Sequence, residues 1–97
     1  MKSFRLSPEA ASDIREIWQY IAEDSERVAR KVRLSIFDAC ERLARNPSIG
    51  HTRRDLTTRD VLFWPVGSYL IIYDPRAKPL RILRVARGAR DVSRFFQ

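Results

Sequence analysis

The 97-residue chain has one cysteine, one histidine, one methionine and three glycines, and each scarcity removes a class of protein. A single cysteine, Cys40, allows no internal disulfide and fits a reducing compartment. It lies among Ala39, Leu43 and Ala44, which reads as a buried small hydrophobe rather than a nucleophile. One histidine and one cysteine cannot supply the ligand set of a structural or catalytic metal site, so no metal is expected. The glycines stand apart at 50, 67 and 88, so there is no phosphate-cradling loop, and no cofactor is expected. No apolar run approaches the roughly 20 residues of a membrane span. Residues 1–5, Met-Lys-Ser-Phe-Arg, lack the apolar stretch of a secretory signal, so the expected location is cytoplasmic, with no membrane partner.

What is abundant is arginine. Sixteen of the nineteen basic residues are arginine, and the formal net charge is +7. The excess is one-sided: residues 1–41 sum to −1 and residues 42–97 to +8. Lysine would serve solubility equally well. Arginine adds a planar fork that matches carboxylates and phosphates, so the bias points to an anionic partner, either nucleic acid or an acidic protein segment. A hydrophobic fraction of 44% with 32% charged residues is that of a folded chain. Residues 1–97 read as one domain.

Local patterning gives the order of elements. Residues 2–6 read as a short strand. Ser7 as N-cap, Pro8 at the first helical position and Glu9 in the first turn open a helix running to about Asp24. Its apolar face is Ala10, Ile14, Ile17, Trp18, Ile21 and Ala22, with Asp13, Arg15, Glu16 and Glu23 read as the solvated side. Ser25 caps a second helix with an apolar stripe of Ala29, Val32, Ile36, Ala39, Cys40 and Leu43, stopped at Asn46-Pro47. Phe37 lies off that stripe beside Leu34. So short a connection predicts an antiparallel helix hairpin. A polar loop over 47–59 precedes strands at 61–66, 69–73 and 80–86, with Gly67 and the segment 74–79 as turns. Residues 89–97 read as a short helical or irregular tail. The fold class is α+β, with helices on one face of a small, mostly antiparallel sheet and the other face open for binding.

Candidate residues follow from these placements. His51 sits between Gly50 and Thr52 in the loop and reads as solvated rather than catalytic. Arg81 and Arg84, three apart on the last strand, are expected on opposite faces. With Arg53, Arg54, Arg59, Arg87 and Arg90 they form the candidate binding group. Phe95-Phe96 reads equally as a core plug or an anchor for a partner.

Several short motifs occur in order along nearly the whole chain. They are Leu6-Ser7-Pro8-Glu9-Ala10, Asp13-Ile14-x-x-Ile17-x-x-Tyr20-Ile21-Ala22 and Leu43-x-x-x-Pro47-x-x-Gly50. Then come Ser68-Tyr69-Leu70-Ile71-x-Tyr73 and Ile82-Leu83-Arg84-Val85-x-x-Gly88-Ala89-Arg90-Asp91. Together they resemble the ParE-type toxins of the RelE/ParE toxin–antitoxin superfamily. The resemblance implies a strand, helix hairpin and three-stranded meander. It also implies a cognate acidic ParD-like antitoxin bound in a hetero-oligomer, and DNA gyrase as target. The RelE branch instead cleaves messenger RNA on the ribosome, and that ribosome-dependent endoribonuclease is the alternative reading. The Gly88-Ala89-Arg90-Asp91 ending resembles the ParE branch. Arg87 stands where many ParE-like chains carry histidine, which removes a proton-transfer group and adds a cation. The expected mode of action is therefore binding, with no catalytic residue.

Overall fold

In the computed structural model, which describes residues 3–96, the order is β1 (Phe4–Leu6), α1 (Pro8–Ala22), α2 (Glu26–Arg45), a 3₁₀ turn at Pro47–Ile49, β2 (Leu62–Val66), β3 (Tyr69–Asp74), β4 (Leu80–Ala86) and α3 (Ala89–Phe95). This is the expected α+β arrangement. Lys2 of the expected first strand and Gln97 of the tail lie outside the described residues. The sheet order is β1-β4-β3-β2: β2, β3 and β4 form an antiparallel meander, and β1 joins β4 in parallel.

Both long helices start where the caps require. Ser7 Oγ accepts from Ala10 N at 2.9 Å, and Ser25 Oγ accepts from Val28 N at 3.2 Å. Ser7 also welds the helix start to the sheet. Its N–H donates to Ile82 O at 2.9 Å and its hydroxyl to Leu83 O at 2.7 Å. The β2–β3 hairpin turns through Gly67-Ser68, and Gly67 has the positive φ, 57°, that a type II′ turn demands of its first central residue.

The core lies between the helix hairpin and one face of the sheet. Ala10, Ile14, Ile17, Ile36, Cys40 and Leu43 pack on Phe4, Ile71, Tyr73, Leu80, Ile82 and Val85. Phe37 joins them at the margin, its ring 6.2 Å from that of Phe4. Burial pushes the Cys40 thiol up to about 12, with the nearby Glu41 charge adding to the shift, so the thiol is inert.

The second face is not left open over its whole width. Val61, Phe63, Ile72, Ala86 and Val92 form a separate buried cluster, with Leu56, Leu70, Leu83, Phe95 and Phe96 packed around it. The 53–61 loop and α3 supply that cover, so Phe95 and Phe96 act as plugs on this side. Gly88, with φ 127°, makes the turn from β4 into α3, and Asp91 Oδ2 accepts from Arg87 N at 3.1 Å.

The loop after α2 is anchored by one phenol. Tyr73 Oη donates to Pro47 O at 2.7 Å and accepts from Gly50 N at 3.0 Å. A side chain at Gly50 would press on the Tyr73 ring, with Cε1 at 2.9 Å, which explains why glycine stands three residues after Pro47. His51 then pairs with Phe63 through both backbone bonds, at 2.8 and 2.7 Å, which covers part of the outer edge of β2.

Candidate functional site

The arginines of the basic half do not form one surface. Arg53 makes a two-pronged pair with Asp55 at 3.0 and 2.9 Å, which raises the guanidinium and lowers the carboxyl from their usual values. Arg54 donates to Thr58 O at 2.9 Å and lies 3.7 Å from Asp60. Both therefore brace their own loop. Arg59 lies over the Phe96 ring at 5.2 Å.

Arg84 is the most committed of the group. Its Nε and Nη2 each donate to Asp13 at 2.9 Å, and the guanidinium sits 3.6 Å from the Phe95 ring centroid. Asp13 is only 8% exposed and accepts a third bond, from Val85 N at 2.9 Å. Hydrogen bonding to Asp13 raises Arg84 above the usual guanidinium range.

The cause is topological. β1 ends at Leu6, so the edge of β4 away from β3 has no strand beside it from Leu83 onward, and side chains of α1 and its N-cap take the free backbone groups instead: Ser7 at Leu83 O and Asp13 at Val85 N. The sequence pattern assigns Asp13 to the solvated side of α1, and the structure places it inside. It lies three residues after Ala10 and four before Ile17, both on the buried face, and that spacing is the signal that it is inside.

Arg81 and Arg84 also depart from the expected opposite faces. The register shifts between Ile72 and Tyr73, so that Ile82 opposes Tyr73 and Arg84 opposes Ile72. Leu83 is the extra residue of a bulge, and Arg81 and Arg84 end on the same side of the sheet. Arg81 stays exposed, level with Arg5 on β1 and Asp74 on β3.

Arg87 and Arg90 are exposed at the start of α3. Arg87 lies over Tyr20 at 4.9 Å and helps line a cleft of about 310 Å³ between α1 and α3, together with Glu16, Asp91 and Arg94.

A second concavity was not anticipated from the sequence. Ala11, Ile14, Trp18, Leu6 and Phe37 line a groove of about 290 Å³ between α1, α2 and β1, with Arg15 and Arg33 at its rim. Arg33 lies 5.6 Å from the Phe37 ring centroid. A recess of about 240 Å³ continues it past Phe4, Arg5 and Leu6 along β1. β1 is a sheet edge. Leu80 N donates to Ser3 O and Ser7 N to Ile82 O, a parallel pattern that turns the Arg5 amide toward β4 and leaves the polar backbone of Phe4 and Leu6 on the outer side. The signal for the groove lay in Phe37, off the α2 stripe, and in Trp18 at the margin of the α1 stripe.

These elements have known counterparts. A family model, the ParE toxin of the type II toxin–antitoxin system parDE, matches residues 4–92. Among solved structures, the chain is similar to one from the chromosomal ParDE toxin–antitoxin system of P. aeruginosa, with 21% identity and a TM-score of 0.73. That match covers 91% of this chain and 97% of the other, and it bears on the fold. No curated protein matches the chain. The family match runs from β1 into α3 and takes in both the Asp13–Arg84 pair and the groove on β1. The chain belongs to the ParE toxin family of type II toxin–antitoxin systems.

Proposed function

We propose that this toxin acts by binding DNA gyrase, so that cleaved DNA accumulates, and that an acidic antitoxin segment neutralises it at the groove beside β1. The observation that supports the second part is the coincidence of three features at one place. There is an apolar slot floored by Trp18 and Phe37, a strand edge with unpaired backbone groups, and a rim of Arg15 and Arg33. An extended segment adds a strand to such an edge, seats an apolar side chain in the slot and meets the rim with carboxylates. Buried aromatic anchors of this kind carry most of an interface's energy.

The gyrase part is supported by the family. In this reading Arg59, Arg87 and Arg90, exposed at and around α3, face the target, while Arg53, Arg54 and Arg84 hold the surface in shape. The antitoxin and the target then use separate regions, and neutralisation comes from bulk or from fixing the toxin's conformation.

Supercoiling and cleavage assays with gyrase test the proposal. The purified toxin is expected to inhibit supercoiling and to accumulate linear DNA. Arg87→Ala and Arg90→Ala should weaken this in increments, as a binding surface does. Trp18→Ala should keep gyrase inhibition but lose antitoxin affinity by about 30-fold. Unimpaired supercoiling, with codon-biased cuts in transcripts on induction, would replace the gyrase reading with the endoribonuclease one.

A further inference from the structure

Arg5 and Arg81 stand directly opposite each other on β1 and β4. Phe4, Leu6, Leu80 and Ile82, their neighbours in each strand, turn toward the helices. Both arginines therefore occupy the other face of the sheet, and both are exposed. Like charges directly opposite on adjacent strands destabilise a sheet. The one carboxylate level with them is shared with a third guanidinium. Asp74 faces Arg81 across β3 and β4, but its Oδ1 accepts from Arg76 N at 2.9 Å and from Arg76 Nε at 3.3 Å.

Among the described residues, the ion pairs are Arg53–Asp55, Arg54–Asp60, Arg76–Asp74, Arg84–Asp13 and Arg94–Asp91, and neither Arg5 nor Arg81 belongs to one. Nor does either lie over an aromatic ring, as Arg33, Arg42, Arg59, Arg84 and Arg87 do. Arg76, held on Asp74 beside Arg81, and Lys78 are exposed in the β3–β4 connection that leads into β4. A like-charge pairing in which neither guanidinium has an ion pair of its own is a candidate functional position.

We propose that Arg5 and Arg81, extended by Arg76 and Lys78, form a phosphate-gripping strip that binds the backbone of duplex DNA. Adjacent strands hold the two arginines about 4.8 Å apart at the backbone, which lets both guanidinium forks close on one phosphate. The strip has no apolar anchor, since Leu83, the next residue toward this face, is drawn into the cluster beneath α3. Protein partners are held by buried apolar and aromatic anchors, whereas phosphate contacts require only placed cations. The strip lies on the opposite face from the Trp18 groove and requires neither gyrase nor antitoxin for its test.

The experiment is fluorescence anisotropy of a labelled 20-base-pair duplex with the full chain across a salt series. The Arg5→Ala/Arg81→Ala double variant is compared with Arg27→Ala/Arg30→Ala, an equal charge loss at exposed positions of α2. The double strip variant is expected to bind at least about 10-fold more weakly, with the slope of log K against log salt reduced by about 2. The α2 variant should keep the wild-type slope. Equal losses in both variants would overturn the proposal, because binding would then follow net charge. Polyglutamate bound as tightly as the duplex, with the same dependence on Arg5 and Arg81, would overturn it in favour of an acidic protein segment. Thermal melting guards the interpretation: the strip variant should melt no lower than wild type. A lower melting temperature would mean that the arginines serve the fold, and the premise would fall.

Discussion

Arg81 and Arg84 are three residues apart on one strand and, because of the bulge at Leu83, on one side of the sheet, yet their roles are opposite. Arg84 is held by two bonds to a buried carboxylate and stacked on Phe95, with 27% of its side chain exposed. Arg81 is exposed beside another arginine and has no ion-pair partner among the described residues. The difference comes from what lies along the edge of β4. At Arg81 that edge is occupied by β1. At Arg84 it is occupied by α1, whose Asp13 has to satisfy the Val85 N–H. A count of arginines therefore overstates the charge this protein can offer a partner, and the local edge decides which arginines are free.

The sharpest way to break the contrast is Asp13→Ala. It strands a half-buried guanidinium and a buried backbone N–H, and should destabilise the fold by about 3 kcal/mol in urea unfolding. Arg81→Ala in the same assay should change stability by less than about 0.5 kcal/mol. Asp13→Asn, which keeps an acceptor for Val85 N but loses the charge, should fall between Asp13→Ala and wild type.

An alkaline titration separates interior from surface in another way. Arg84 is raised beyond its already high range, so its guanidinium stays charged as pH increases. Burial holds the Cys40 proton to about pH 12 and also raises Tyr73, whereas in the unfolded chain these groups ionise near 9.0 and 10.0. The unfolded state then binds fewer protons than the folded one. The contribution of these two groups to stability is full below pH 9 and falls as pH rises through the 9–12 window, by at most about 1.4 kcal/mol per pH unit for each group. Cys40→Ala should flatten the lower part of that decline, and a comparison of slopes by denaturant unfolding at pH 8–11 checks it.

The smallest effect is the most diagnostic. Arg5→Glu places a carboxylate opposite Arg81 on the edge strand, one strand removed from Asp74, and should stabilise the sheet by about 0.5 kcal/mol, read as a small rise in Tm. Loss of stability instead would show that the Arg5–Arg81 pairing carries no strain and would erase the contrast with Arg84.

Much of the fold was legible because its signals are local. Ser7-Pro8 and Ser25 set the helix starts, the spacing of Ile14, Ile17 and Ile36 set the buried faces, and Cys40 declared itself by its neighbours. The charge asymmetry was legible too. The candidate site was legible only as a composition. Asp13 and Arg84 are 71 positions apart in the chain and Gly50 and Tyr73 are 23 apart, so no spacing rule joins either pair. A carboxylate on the buried face of α1 was the one available clue, since a buried charge requires a partner.

By itself the sequence determined the elements, their order, the burial of Cys40 and the excess of arginine, because caps, periodicity and charge act over a few residues. Only the tertiary structure decided which arginines are spent and which are free. That outcome depends on strand register and on what covers each edge: the bulge at Leu83 turned Arg84 to Asp13, and the parallel pairing of β1 with β4 set Arg5 against Arg81.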